Sequence, residues 1–317
     1  MLKLIGKNGA VTRLEEACWV DLCDPTEEEI ARVQQHFGMD LPSRESLSEI
    51  EVSSRLRAHQ GRLVMSAPLI ARRGEMILLM PTGFVLTADL LVTIRFAEMA
   101  AFDMVQEGIA GAAHPVEAQE ALVRLLEELV DRAADRLERV AEELTSASHA
   151  IFREYPKEHR RRLGRETRRL RRLMVNIGRS SEQMVKVRQA FLAIGRIANF
   201  TVDRCEPQMA AALKDRLVTI RHDIESLDEF ESSLTGRVQL LLDAATGFIS
   251  IEQNDVVKVL TVASVAGVPP VLVVGIYGMN FHYMPELAWS WGYPFALALI
   301  VFSTILPVLW FRWRDWL

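Results

Sequence analysis

Two apolar runs near the C-terminal end, Val259 to Gly278 and Tyr293 to Phe311, restrict what this chain can become more than any other feature. The first is twenty residues without an acidic, basic or histidine side chain. As a helix rising ~1.5 Å per residue it reaches about 30 Å, the thickness of a bilayer core. The second is nearly as long and equally free of charge. One such run suits the buried helix of a large soluble core, but two so close together predict a transmembrane hairpin with an outer loop over 279–292. Charge sets its orientation. Arg237 and Lys258 precede the first span, Arg312 and Arg314 follow the second, and the loop holds no Lys or Arg. By the positive-inside rule both termini face the cytoplasm of a multi-pass inner-membrane protein.

The remaining chain is long enough for a sizeable cytosolic part, expected as an α+β domain (1–114), long antiparallel helices (115–206) and a stalk helix (207–258) before the hairpin (259–317). A net charge of −5 excludes a general nucleic-acid binder, which needs a clustered positive surface. Cys18, Cys23 and Cys205 are too few and too irregular for a disulfide framework or a paired-Cys zinc site. The opening MLKLIGKNGAVTRLEE lacks the apolar core of a secretory signal. No nucleophile elbow, phosphate loop or histidine-rich spacing occurs, so an enzyme is not expected, and His36, His59 and His114 read as surface or cap residues.

In chain order, Asp24-Pro25-Thr26 with Glu27 to Glu29 marks a helix start and Gly38 its stop. Runs at 63–71, 76–86 and 90–96, parted by turn residues, predict a meander of antiparallel strands. Two long helices follow, between Pro115 and Pro156 and between Pro156 and Pro207. The second opens on a basic run, Arg153 to Arg172, after an acidic helix bearing Glu127, Glu128, Asp131, Asp135, Glu138, Glu142 and Glu143. Complementary solvated faces of a helix pair are the preferred reading over a nucleic-acid or lipid-headgroup site. Beyond Pro207, Leu213, Leu217, Ile220, Ile224, Leu227, Leu234, Val238, Leu241, Ala245 and Phe248 form a heptad stripe in which Glu231 takes the skipped place. Such a helix packs on other copies or on the helices before it.

One hairpin cannot enclose a water-filled path, so transport would require several copies around an axis. On the first span Asn254, Val257, Thr261, Ser264, Val268, Val271 and Gly275 share a stripe, with Leu260 at its margin. Small, mildly polar residues of this kind either line a narrow bore or let helices pack closely.

Between the runs stands YGMNFHYMPEL. A Gly-Met-Asn triplet after the first of two C-terminal spans, followed by Met-Pro-Glu-Leu and a closing Trp316-Leu317, resembles the CorA family of divalent metal-ion transporters, and Asn254, Lys258, Leu260 and Thr261 fit that family's approach to the span. The resemblance implies a homopentameric, channel-like carrier of Mg²⁺, also passing Co²⁺ or Ni²⁺, driven by membrane potential and gated by cytosolic Mg²⁺. It implies ion selection at Gly278, Met279 and Asn280, hydrophobic constrictions at Val257, Leu260 and Val268, Asp243 near the inner mouth and Pro269 in the wall of the pore helix. Mg²⁺ sheds water reluctantly, so a ring of Asn280 amide oxygens could hold its hydration shell and still release it, while Glu286 in the outer loop gathers cations by charge. No carboxylate lies within either span, which argues against a proton relay. Mg²⁺ is here substrate and regulator, no cofactor is called for, and the carboxylates of a regulatory metal site match no family motif. Two departures stand out: Val257 where Met is common, and a tail with only Arg312 and Arg314, too few for a strong basic collar. A Zn²⁺ transporter of the same superfamily and a membrane-anchored sensor or scaffold are the alternatives, the former disfavoured because Met279 and Asn280 are kept.

Overall fold

The computed structural model describes residues 1–49, 51, 55–59, 61–74, 76–154, 166–205, 209–279, 282, 284–285 and 289–314. They divide into two compact units, 1–148 with 175–240, and 149–174 with 241–317.

The first unit opens with β1 (Leu2–Gly6), β2 (Gly9–Ala10), a 3-10 turn at Leu14–Glu16 and β3 (Trp19–Cys23). Next comes α1 (Glu27–Phe37), which starts where its chemistry dictates. The Thr26 hydroxyl accepts from Glu29 N–H, the Glu29 carboxylate accepts from Thr26 N–H, and Gly38 closes the helix at φ 57°, a left-handed geometry that favours glycine. A short α2 (Arg44–Leu47) leads to β4 (Leu56–His59), β5 (Arg62–Arg73), β6 (Met76–Leu86) and β7 (Leu91–Arg95). The expected meander is present, turning at Gly74 with φ 63°.

It supplies three strands of a mixed seven-stranded sheet, ordered β2-β1-β3-β7-β6-β5-β4, in which β3 and β7 run parallel. Pro68 and Pro81 face each other across β5 and β6, just beyond the stretches that pair with β4 and β7. There a missing N–H deprives no third strand of a bond.

β3 and β7 are buried on both faces, as central parallel strands must be. Val20, Leu22, Val92 and Ile94 join Val33 of α1 and Leu47 of α2 in one core. The alternate residues meet α3 (Ala100–Ala110), where Trp19 and Phe102 lie 6.2 Å apart. Here an ion pair is fully buried: Arg95 donates to both Asp21 oxygens at 2.8 to 3.3 Å, and Thr93 and Gln106 donate to the same carboxylate. The Arg95 guanidinium also stands 4.7 Å above the Phe102 ring. Burial works to lower the Arg95 pKa, but the bonds and charge of Asp21 outweigh it and raise it. Because removal of one partner leaves an uncompensated buried charge, Asp21→Ala is expected to cost roughly 3–5 kcal/mol of stability. Thermal unfolding of the purified variant followed by circular dichroism checks this, and an unchanged midpoint would refute it.

The long helices are α4 (Ala118–His149), ending in a π turn at Ala150–Glu154, and α5 (Glu166–Cys205). α5 is tied to the sheet by Lys186, which donates to Ile77 O, and by Thr201 beside Met65. α6 (Ala211–Tyr277) is a single helix of 67 residues, and α7 (Gly292–Trp313) one of 22. On α6 the heptad stripe is turned inward: Leu217, Ile220, Ile224, Leu234 and Val238 are buried within the chain. Glu231, at the skipped position, is buried as well and takes a hydrogen bond from Arg188 of α5 and one from Thr235. Ile224 approaches α5 so closely that a side chain at Gly195 would press against it at 3.3 Å. The acidic helix α4 finds its counter-charge on α6, where Arg216 pairs with Glu127 at 2.5 Å. Most of the basic run, residues 155–165, lies outside the described residues.

Candidate functional site

α6 and α7 each contain a stretch long and apolar enough to cross a membrane. Neither behaves like a core helix, since Val271, Leu272, Val274, Ile276, Phe302 and Leu309 are largely exposed. Apolar exposure on this scale demands a covering phase, lipid or other copies of the chain.

α6 carries Pro269 and Pro270 inside its span. Two prolines in succession remove the backbone donors that would have bonded the carbonyls of Val265 and Ala266, so the helix continues with two acceptors released. Around the circumference the span is asymmetric. Glu252, Val262 and Ala266 are buried on one side, whereas Asn254, Val257, Leu260, Ser264, Val268, Val271 and Gly275 are exposed, and Thr261 is half-buried. The stripe picked out by helical spacing is thus exposed, as are Val256, Val259, Val265, Leu272, Val274 and Ile276 outside it.

Two hydroxyls on that face are already committed as donors. Thr261 donates to Val257 O at 2.8 Å and Ser264 to Leu260 O at 2.9 Å. Their lone pairs remain, so each presents an acceptor, the polarity a cation requires. A shallow groove of about 300 Å³ runs past Ser264, Gly267, Val268 and Val271. Asp243 is exposed, and its carbonyl accepts from the Thr246 hydroxyl. Lys258 is tied to Asp255 at 3.1 Å.

The end of α6 follows from Gly278. Its N–H closes on Val274 O at 2.9 Å, and a Cβ there would stand 3.0 Å from the same oxygen, so a larger residue would disturb the last turn. Met279 follows, half exposed. Asn280 and Glu286, the other two residues expected to act at the outer mouth, lie outside the described residues, as does the closing Trp316-Leu317.

Trp289, Trp291 and Tyr293 cluster at the start of α7, and Trp310 and Trp313 at its end, all substantially exposed, with Arg314 over the Trp310 ring at 5.2 Å. Rings at both ends of an apolar helix are the pattern of interfacial anchors. The hydropathy reading passed over them, although their spacing along the second run is a visible signal. Among the described residues no group of three or more His, Cys, Asp or Glu side chains is arranged to hold a metal ion.

The sequence profile described as "CorA-like Mg2+ transporter protein" matches residues 15–313. The chain belongs to the CorA family. Among its relatives, a magnesium transport protein CorA of Wolinella succinogenes is 30% identical over 307 residues, covering 94% of this chain and 91% of that one. The protein of the same name from Escherichia coli strain K12 is 31% identical, covering 98% of both. In three dimensions this CorA-family chain resembles the complete CorA magnesium transporter of Methanocaldococcus jannaschii with a TM-score of 0.77 at 18% identity, over 100% of this chain and 98% of the other. The full-length CmaX protein gives 0.65 at 15%, over 99% and 96%. The cytoplasmic domain of ZntB from Vibrio parahaemolyticus gives 0.58 at 11%, over 78% and 97%. Identities this low speak to fold alone.

Proposed function

We propose that this chain forms a homo-oligomeric, channel-like Mg²⁺ uptake system of the inner membrane, pentameric as the family resemblance implies, with both termini in the cytoplasm. What carries the reading is the uncovered stripe of α6, running from Asn254 through Ser264 to Gly275 and leading toward Gly278-Met279-Asn280. Several copies placing this stripe around an axis would cover the exposed apolar positions and enclose a bore of hydroxyl acceptors and aliphatic collars at once. Fully hydrated Mg²⁺ suits such a bore, because neutral acceptors bind its water shell and a carboxylate ring would retain it. No counter-transported proton is needed, since a divalent ion moving inward gains about 4.6 kcal/mol per 100 mV of potential. Co²⁺ and Ni²⁺, close to Mg²⁺ in size when hydrated, would follow the same route. The magnesium-transport relatives of about 30% identity over nearly the whole chain favour this cargo over Zn²⁺.

Regulation is read from the acids of α4 and α6. Asp228 is held within the chain by Arg188 at 2.9 Å, whereas Asp215 and Asp223 are exposed. The Asp131 carboxyl is raised above its ordinary value by partial burial and then by Glu127, Asp223 and Asp135. Negative charge crowded in this way is relieved by a cation, and we place cytosolic Mg²⁺ there, between copies, as the ion that holds the assembly closed. When internal Mg²⁺ falls, repulsion returns and α6 carries the displacement toward Val257 and Leu260.

Purified protein in liposomes under an imposed potential tests the transport reading, with Mg²⁺, Co²⁺ and Zn²⁺ compared. Potential-dependent Mg²⁺ entry is expected, with Zn²⁺ much slower. Absence of flux from correctly assembled protein would leave the sensor or scaffold reading. Faster entry at micromolar than at ~10 mM internal Mg²⁺ is the expected sign of feedback, the upper value lying above the range where weak carboxylate sites fill.

A further inference from the structure

Within the first unit a cavity of about 300 Å³ lies between the β5–β6 hairpin and helices α4 and α5. Its floor is apolar and buried: Leu69, Ile77, Met99, Leu129 and Ile194. Its rim is basic, with Arg72 from the hairpin and Arg132, Arg136 and Arg139 from one face of α4.

These guanidiniums differ in how they are engaged. Arg132 is paired with Glu128. Arg72, Arg136 and Arg139 form no ion pair among the described residues: Arg72 donates to Gly74 O, Arg139 to Asp135 O, and Arg136 to the side-chain oxygen of Gln183. The Arg136 Nε is buried with no hydrogen-bond partner among those residues. Burial pulls the Arg136 pKa down, Glu143 opposes this, and Arg139 and Arg72 add to the fall. Three like charges thus stand close together, one of them partly withdrawn from water with its Nε buried, while the two acids on the rim, Glu98 and Asp135, pair with none of the three among the described residues. Like charges gathered without an ion-pair partner repel one another, and partial burial of one of them sharpens the cost, so a counter-charge would be bound favourably.

We propose that this cavity binds a phosphate-bearing small molecule whose ring rests on the apolar floor. Planar guanidinium forks match phosphate oxygens two at a time, and three of them answer a multiply charged group better than a single carboxylate. The size and the mixed lining suit a small, partly apolar ligand.

The test uses the full-length protein in detergent at constant ionic strength, with adenosine 5′-monophosphate and inorganic phosphate as probes and adenosine as the uncharged control. Calorimetric titration reads affinity, and thermal unfolding reads stabilisation. Arg72→Gln and Arg139→Gln are chosen because both positions are exposed and both variants should fold. Saturable binding of the phosphate probes, stronger for the monophosphate than for adenosine, is expected to weaken at least ~10-fold in each variant, the loss of one charge-assisted contact. Absence of saturable binding up to ~10 mM, well past the millimolar range of weak ligands, would overturn the proposal. So would equal binding by wild type and both variants, or binding of adenosine as tight as that of the monophosphate.

Discussion

Asn280→Ala is expected to reduce Mg²⁺ uptake by about 10–100-fold while leaving the assembled oligomer intact, the loss typical when a group acting on a metal through its outer shell is removed. The residue stands two positions past Gly278, where the backbone closes the last turn of α6, and one past half-exposed Met279. α6 ends at Tyr277, before this position, so the substitution changes no residue of the helix. With assembly intact, a fall in flux would reflect lost recognition. In the proposed assembly its amide would supply one carbonyl oxygen per copy, and a ring of them would replace part of the bulk water around the hydration shell without stripping it. The amide N–H₂ is the wrong pole for a cation, so an alanine removes the acceptor while adding no obstruction. Uptake of ²⁸Mg or of a fluorescent-reporter signal in liposomes, with assembly verified by size-exclusion chromatography, measures the effect. Near-normal flux from assembled Asn280→Ala protein would remove the residue from selectivity. Flux lost together with assembly would instead point to a role for the loop in holding copies together.

Legibility in the sequence followed the range of the interactions involved. The two spans, the capped helix α1 and the β5-β6-β7 meander depend on neighbours a few residues apart, and local pattern reveals them. The parallel pairing of β3 with β7 does not. Trp19 meets Leu91 and Asp21 meets Thr93 across some seventy residues, and a five-residue run containing an aspartate carries no periodicity that announces a central strand. That aspartate is explained only by Arg95, which arrives with β7. The heptad stripe of α6 was visible, but not its destination: Arg188, the partner that lets Glu231 occupy a core position, is on a different helix. At the candidate site, helical spacing grouped Asn254 to Gly275 into one stripe because that grouping is defined within a single helix, and those positions are exposed or half-buried together with most of the span. The arginine-rimmed cavity had no comparable signature. It joins a hairpin end to one face of α4, a helix whose acids outnumber its basic residues in sequence.

Leu260→Asn is expected to hold the pathway open, so that Mg²⁺ entry persists at an internal Mg²⁺ concentration that shuts the wild type. Leu260 is 66% exposed and Val257 57% exposed in the single chain, toward the Asn254 end of the stripe. If copies bring these side chains together around an axis, the closed state is stabilised by aliphatic surface withdrawn from water, and opening must wet it. Burying a Leu side chain stabilises by roughly 1.5–3 kcal/mol, and ~1.4 kcal/mol is already a factor of ten in an equilibrium. Loss of even one such contribution therefore shifts the closed-to-open ratio about tenfold, and loss in every copy shifts it further. Asparagine keeps leucine's branched heavy-atom outline at a smaller volume, so the main change is in the bore's affinity for water. Leu260→Ile, which preserves the apolar surface, should close as the wild type does. The measurement is Mg²⁺ entry into liposomes holding ~10 mM internal Mg²⁺, above the range where weak carboxylate sites fill. Entry at least about tenfold above wild type in Leu260→Asn, with Leu260→Ile unchanged, is the expected result given that free-energy scale. A Leu260→Asn protein that closes normally would show that the barrier lies elsewhere on the stripe, with Val268 the next aliphatic collar to test, and would leave the transport function itself standing.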